Sequence, residues 1–337
     1  MPPRAREKRE ERKANSEARR REKQEKRRRK RDVRADSDKR VHEHIPVLLE
    51  EAVGLLEPRP GGVYVDGTLG LGGHSERLLE RAGAGARIVG IEWDDDAAAR
   101  AEERLRRHGD AVTVVRDSYA RLPMILEKLG IQAVDGILLD LGASSLQFND
   151  PSRGFSFTHD GPLDMRMSSR VGRTAAELLG SLGEKELETL FRQYGEERKA
   201  RAIARAVCRV RGDRSRGEVL RTTRALAEFI SGLVGRQGRI HPATRVFQAL
   251  RIAVNSELEN VKRVLQTADK VLRAPGGRIV VISFHSLEDR IVKHTFREKA
   301  QAGVLRILTK KPVRPGRAEM RTNPKSRSAK MRAAERT

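Results

Sequence analysis

The sequence predicts an α/β fold: a doubly wound, mostly parallel sheet interrupted by an all-helical insertion. Three observations carry this. Short apolar runs alternate with helical stretches from about residue 63 to 140, the pattern of parallel strands covered on both faces. That alternation stops between about 150 and 240, where no strand candidate occurs. It then resumes with a long helical pattern and one more apolar strand.

Residues 1–40 hold 19 Lys and Arg against 9 Asp and Glu, with almost nothing apolar to bury. Such a segment cannot offset the entropy of ordering, and a disordered basic tail is expected. It either solubilises the chain or grips nucleic acid without reading sequence. The net charge of +23 divides into +10 for this tail, +9 for residues 301–337 and +4 for everything between. A near-neutral body thus carries two basic ends. No run approaches the ~18 apolar residues of a membrane span. With no apolar h-region and nine acidic residues, the N-terminus is expected to be neither a secretory signal nor a transit peptide. A single cysteine, Cys208, excludes an internal disulfide and fits a reducing cytoplasm, and no metal is expected.

The body is expected to begin near His44. Val63–Asp66 reads as the first strand, followed by a Gly-rich loop and a helix over Ser75–Ala82. Arg87–Glu92 is the second strand, with a helix from Asp95 to about Arg107. Val112–Val115 and Gly136–Asp140 are the third and fourth. Within the insertion, Thr174 to Glu177 and Ser181 to Glu184 have capping-box spacing. Phe247, Leu250, Val254, Leu258, Val261, Leu265, Ala268 and Leu272 predict one long helix, ended by Pro275-Gly276-Gly277. Arg278–Ser283 is the fifth strand, and Val304–Leu308 with the basic end adds a closing hairpin.

Candidate chemistry collects at the carboxyl ends of these strands, where open α/β sheets bind ligands. The loop Asp66-Gly-Thr-Leu-Gly-Leu-Gly-Gly-His74 allows close backbone approach to a nucleotide. Glu92, 22 residues after Gly70, can accept hydrogen bonds from ribose hydroxyls. A G-x-G-x-x-G fingerprint would need glycine at position 75, which is Ser. Tyr119 can stack on an adenine. Asp66, Glu92 and Asp140 would ring one cleft, a setting poor for a pyrophosphate and suited to the cationic sulfonium and amino group of S-adenosylmethionine. An NAD-dependent oxidoreductase and a non-catalytic ribosome-assembly factor are the rival readings. His285 either caps the helix after the fifth strand or meets the substrate base. Arg201, Arg205 and Arg209 share one helix face, as a solvated stripe or a phosphate contact. Cys208 reads as a small buried hydrophobe, and Trp93 as packing or a flank for adenine.

These residues resemble the MraW/RsmH family of bacterial small-subunit rRNA methyltransferases. The matching runs include His44–Val53, Asp66–Ser75, Asp140–Gln147, Arg153–Phe157, Gly161–Met167 and Tyr194–Glu197. They continue through His241–Arg245, Val254–Glu259, Ile282–Arg290 and Ser326–Lys330, so about 44–332 is covered. The resemblance implies a Rossmann-like class I S-adenosylmethionine-dependent methyltransferase that methylates the exocyclic N4 of a cytosine in the decoding region of 16S rRNA. It implies cofactor contacts at Gly72, Gly73, His74, Glu92, Tyr119, Asp140 and Gln147. The family usually has Asp at 92, Phe or Tyr at 119, Pro at 146 and Arg at 322; here these are Glu92, Tyr119, Leu146 and Thr322. Amino-methyltransferases commonly place an Asp/Asn-Pro-Pro-aromatic loop after strand four. Asp140-Leu-Gly-Ala-Ser-Ser145 lacks the prolines and the aromatic, so the catalytic residue stays unassigned. The expected division is a methyltransferase domain over 41–149 and 241–337, and a helical substrate-recognition domain over 150–240. Expected partners are 16S rRNA within the small subunit and, as an open alternative, a second copy of the chain.

Overall fold

The computed structural model describes residues 46–213, 217–235 and 240–337. The tail expected over 1–40 lies outside the described residues. The first half follows the sequence pattern closely. Helix α1 (Leu49–Leu56) leads into β1 (Val63–Asp66), then α2 (Gly73–Ala82), β2 (Arg87–Ile91) and α3 (Asp95–Leu105). Next come β3 (Val112–Val115), α4 (Leu122–Lys128) and β4 (Gly136–Asp140). All four residues of β1 and the first four of β4 are buried, as expected for strands covered on both faces. α3 starts where it does because the Asp94 carboxylate accepts the Asp96 and Ala97 amides, two of the donors a helix start leaves unpaired.

After the short α5 (Ser145–Asn149) the chain builds a helical layer. It comprises α6 (Ala175–Ser181), α7 (Glu184–Gly195), α8 (Ala200–Gly212), α9 (Thr223–Val234) and α10 (Thr244–Asn255). Leu179, Leu187, Phe191, Ile203, Val207, Ile230 and Leu250 form its apolar cluster, which extends from Leu163 to Val254. The box between Thr174 and Glu177 forms as the spacing predicts. The one expected at Ser181 does not. Ser181 closes α6, its hydroxyl donating to the Leu178 carbonyl, and the next helix instead closes its N-terminus with Glu186 accepting from the Gly183 amide at 2.7 Å.

The long helix expected over 247–272 is in fact two, α10 and α11 (Glu257–Val271), broken at Ser256 with φ +50°. The reason is polar. The Asn255 side chain accepts from the Met167 amide at 2.7 Å and donates to the Met165 carbonyl at 2.8 Å. Glu257 turns inward onto Arg251 at 2.8 and 2.9 Å. Apolar periodicity runs unbroken across this point, so it could not reveal the kink. α10 packs in the helical cluster, whereas Val261, Val264, Leu265 and Ala268 of α11 pack in the sheet's own core.

β5 (Arg278–Ser283), α12 (Ser286–Gln301), β6 (Leu305–Ile307), α13 (Arg317–Thr322) and β7 (Lys330–Arg336) complete the fold. The sheet order is β3-β2-β1-β4-β5-β7-β6. β1 to β5 are parallel; β7 runs antiparallel between β5 and β6. The closing strands therefore pair as expected, but a loop with α13 separates them and the last strand lies inside the sheet. No helix among the described residues is long and apolar enough to cross a membrane.

Candidate functional site

The strand order reverses between β1 and β4, so their carboxyl ends and that of β2 open onto one crevice. The loop after β1 is stitched to both neighbours. The Gly67 amide donates to the Leu138 carbonyl at 2.9 Å and the Leu69 amide to Ile91 at 3.0 Å. The Asp140 amide donates to the Thr68 hydroxyl at 2.6 Å. Gly72 has φ +77°, and a Cβ there would lie 2.8 Å from Leu105. At Gly73 it would lie 2.5 Å from Pro46. Both glycines are required by packing, and Gly72 by its backbone conformation as well. His74 follows at the start of α2, its Nε2 3.1 Å from the Val47 carbonyl.

Three carboxyl groups line this crevice. Asp66 is 1% exposed; it accepts from the Ser75 hydroxyl at 2.8 Å and the Thr68 amide at 3.2 Å. Burial still wins over these bonds and raises its pKa to about 6. Glu92 accepts three backbone amides, from Gly70, Trp93 and Asp94, each at 2.8 Å. Burial again outweighs them, and its pKa is pushed up to about 7. Asp140 is pushed well above the carboxylate range, first by burial and then by Asp66, Glu288 and Glu319. Its Oδ1 is buried with no hydrogen-bond partner among the described residues. A buried acceptor left open in this way is costly unless a cation or donor meets it.

The other candidates take defined places. Tyr119 opens a 3₁₀ turn capped by Ser118 and packs on the sheet core. Burial raises its phenol's pKa, with Glu257 and Glu288 adding to the effect and Arg251 opposing it. Gln147 is 3% exposed; its Nε2 donates to Asp94 at 2.8 Å and its Oε1 accepts the Ser144 amide at 2.9 Å. Thus Gly72, Gly73, His74, Glu92 and Asp140 share the crevice wall, and Gln147 braces it through Asp94. Trp93 is half-buried and Cys208 is half-buried against the helical cluster. His285 caps α12, with its Nδ1 3.4 Å from the Glu288 amide while Glu288 accepts from Phe284. Arg201, Arg205 and Arg209 are exposed, with Arg205 3.5 Å from Glu184.

Sequence reasoning missed Asp94. Besides capping α3, its Oδ2 takes Gln147 and Arg153 at 2.8 and 2.7 Å, and Arg153 in turn holds the Arg166 and Met167 carbonyls. Its position directly before a helix was the available signal. It also missed the buried Arg251–Glu257 pair and Lys325, whose ammonium donates to Ser145 at 3.0 Å beside the loop after β4. Ligand atoms of Glu257, His285 and Glu288 lie within 4.8 Å of one another. The two carboxylates are already engaged, Glu257 by the Arg251 guanidinium and Glu288 by backbone amides.

Ser75, where a dinucleotide fingerprint needs its third glycine, instead fixes Asp66 beneath the start of α2, where a pyrophosphate would sit. The crevice therefore offers carboxyl groups to its ligand, in keeping with a cationic donor. Residues 41–337 match the MraW methylase family. The chain belongs to the MraW methylase family. It is 48% identical over 310 residues to the ribosomal RNA small subunit methyltransferase H of Trichlorobacter lovleyi, covering 87% of this chain and 97% of that one. It is 48% identical over 299 residues to the same-named protein of Sorangium cellulosum, covering 88% and 92%. A third, from Desulfotalea psychrophila, is 46% identical over 295 residues, covering 87% and 97%. As a member of this family the chain has the Rossmann-like sheet of an S-adenosylmethionine-dependent methyltransferase, and S-adenosylmethionine is its cofactor.

Proposed function

We propose that this MraW-family methylase transfers a methyl group from S-adenosylmethionine to the exocyclic N4 of a cytosine in the decoding region of 16S rRNA, within the small ribosomal subunit and in the cytoplasm. Its likeness along 87% of its length to relatives named for small-subunit rRNA supports the substrate class. The observation that carries the cofactor's pose is the open, buried Oδ1 of Asp140 between strands β1 and β5. Bound there, the cofactor supplies an electrophilic methyl group.

In this reading Glu92 accepts the ribose hydroxyls, held for that purpose by three amides of its own loop. Gly72, Gly73 and the His74 backbone approach the amino-acid end, and Asp66 and Asp140 balance its positive charge. Tyr119 flanks the adenine. Gln147 keeps the far wall in place through Asp94. The division expected at 241 moves to the break at Ser256: Thr244–Asn255 packs with the helical layer that recognises substrate, and the chain from Glu257 onward joins residues 46–149 in the methyltransferase domain.

The cytosine amino lone pair is delocalised into the ring, so N4 is a weak nucleophile. Rate enhancement must come from holding N4 in line with the methyl group and from acceptors that favour localising that pair. The loop Asp140–Ser145, stiffened by the Ser144–Gln147 capping box and by Lys325 on Ser145, is placed to form one wall of that pocket. Incubation of labelled S-adenosylmethionine with undermodified small subunits, followed by nucleoside analysis, should place label in N4-methylcytosine. Label in any other nucleoside refutes the assignment.

A further inference from the structure

On the far side of β5, α12 and the β6–β7 edge enclose a pocket of about 280 Å³. Lys293, Arg297, Lys310 and Arg332 line it, with Thr309 at one side and Phe296 and Ile307 as an apolar floor. No carboxylate is among the lining residues. Lys293 and Arg297 stand one turn apart on the same helix face, where like charges repel. Elsewhere among the described residues many arginines pair with nearby acids, as at Arg77, Arg104 and Arg278. Among the described residues, Lys293, Arg297 and Lys310 have no ion-pair partner, and Arg332 has Asp289 alone, 2.7 Å away, which Lys330 also shares. Several uncompensated cations converging on one concave site describe an anion site.

The donors narrow the anion: guanidinium forks and ammonium groups with no carboxylate among them suit a phosphate group. Its position supplies the context. α12 begins at the crevice, where Ser286 and Arg290 both bond Glu196 of the helical layer. Lys293 stands seven residues after Ser286, about 10 Å along the helix at 1.5 Å per residue. Beyond the pocket, Lys311, Arg314, Arg317 and Arg321 are exposed, with no acidic partner among the described residues, and extend the same charge.

We propose that this pocket binds a backbone phosphate of the RNA strand whose base enters the crevice. The assignment rests on the rRNA reading above. Phosphate contacts of this kind fix register without reading bases. Lys and Arg fork around the phosphate oxygens, and the Phe296 floor excludes water from beneath them.

The test is a titration of the full chain with a fluorescent single-stranded rRNA fragment at several salt concentrations, for wild type and Lys293→Gln/Arg297→Gln. Losing one phosphate contact should lower the slope of log affinity against log salt by about 0.7, the single-strand value per phosphate. Affinity for S-adenosylmethionine should stay unchanged, which also reports that the variant is folded. Lys310→Gln, in a loop, provides the same reading without touching α12. An unchanged slope in both variants overturns the proposal while leaving the substrate assignment standing. Absence of salt-dependent RNA binding by wild type overturns both. A further arm titrates wild type with inorganic phosphate. Saturable binding that the variants lose, with RNA slopes unchanged, makes the pocket a small-anion site and refutes the RNA assignment.

Discussion

Glu92 should make cofactor affinity strongly pH-dependent. Its carboxyl has a pKa near 7 because burial outweighs three amide hydrogen bonds. Ribose hydroxyls donate to an ionised carboxylate, so the competent fraction of the protein is the ionised one. Apparent affinity scales with that fraction. At pH 6 a group of pKa 7 is ionised in about one molecule in eleven, and at pH 8 in about ten of eleven. The dissociation constant should fall roughly tenfold across this range, equivalent to about 1.4 kcal/mol. Asp66, with a pKa of about 6, adds to the steepness at the acid end. Isothermal titration of S-adenosylmethionine at pH 6, 7 and 8, in buffers of different ionisation enthalpy, reads both the affinity and the protons released. Glu92→Gln should bind more weakly and release about half a proton fewer at pH 7, where half of the Glu92 carboxyls are protonated before binding. If wild type and Glu92→Gln show the same pH slope and the same proton release, Glu92 is not the ribose ligand and the reasoning fails.

Asp140→Asn should separate stability from function. The native carboxyl is raised, so the unfolded state releases its proton more readily and the native state loses stability as pH climbs from about 4 through the native pKa. The variant should therefore melt at a higher temperature than wild type at pH 7, and bind S-adenosylmethionine more weakly; a lower melting temperature refutes the orphaned carboxyl. Removing one member of the buried Arg251–Glu257 pair strands a charge, so Arg251→Met should cost about 3–5 kcal/mol in urea unfolding, and adding Glu257→Gln should restore much of it. Equal losses in the single and double variants would show no coupling. Replacing Arg201, Arg205 and Arg209 with Gln keeps the exposed face helical. Subunit binding should weaken and lose salt dependence with cofactor affinity unchanged, whereas an unaltered slope makes the stripe a solvated face.

What the sequence made legible was whatever depends on local pattern. Continuous apolar runs marked β1, β2, β4 and β5, and the glycines at 70, 72 and 73 marked the turn that β1 needs. The capping box at Thr174 followed from side chains that bond within four residues. The break at Ser256 did not, because its cause is Asn255 reaching back some ninety residues to the 165–167 segment. The same holds for Asp94, whose second oxygen serves Gln147 and Arg153 from a different element. Ser181 misled because a capping pattern does not say whether a helix has already claimed the residue. Within the crevice, the residue types were visible in sequence, but which carboxyl would lack a partner was settled only by the packing of β1, β4 and α12 around Asp140.

The place of β7 bears on how the chain is made. Its seven residues are translated after every other strand and helix described, yet they sit between β5 and β6. Until they leave the ribosome, β5 is an open edge and the short β6 has no partner. A nascent chain therefore carries a half-finished sheet with an unpaired row of amides and carbonyls, the kind of edge that recruits other strands. Arg332 and Lys330 then lock the late strand to Asp289 of α12, and Arg278 and Arg306 clasp Glu335 from either side. The late strand, in effect, drives a wedge into the sheet, and a stall before Lys330 leaves a protein with its catalytic crevice encoded but its scaffold unsealed.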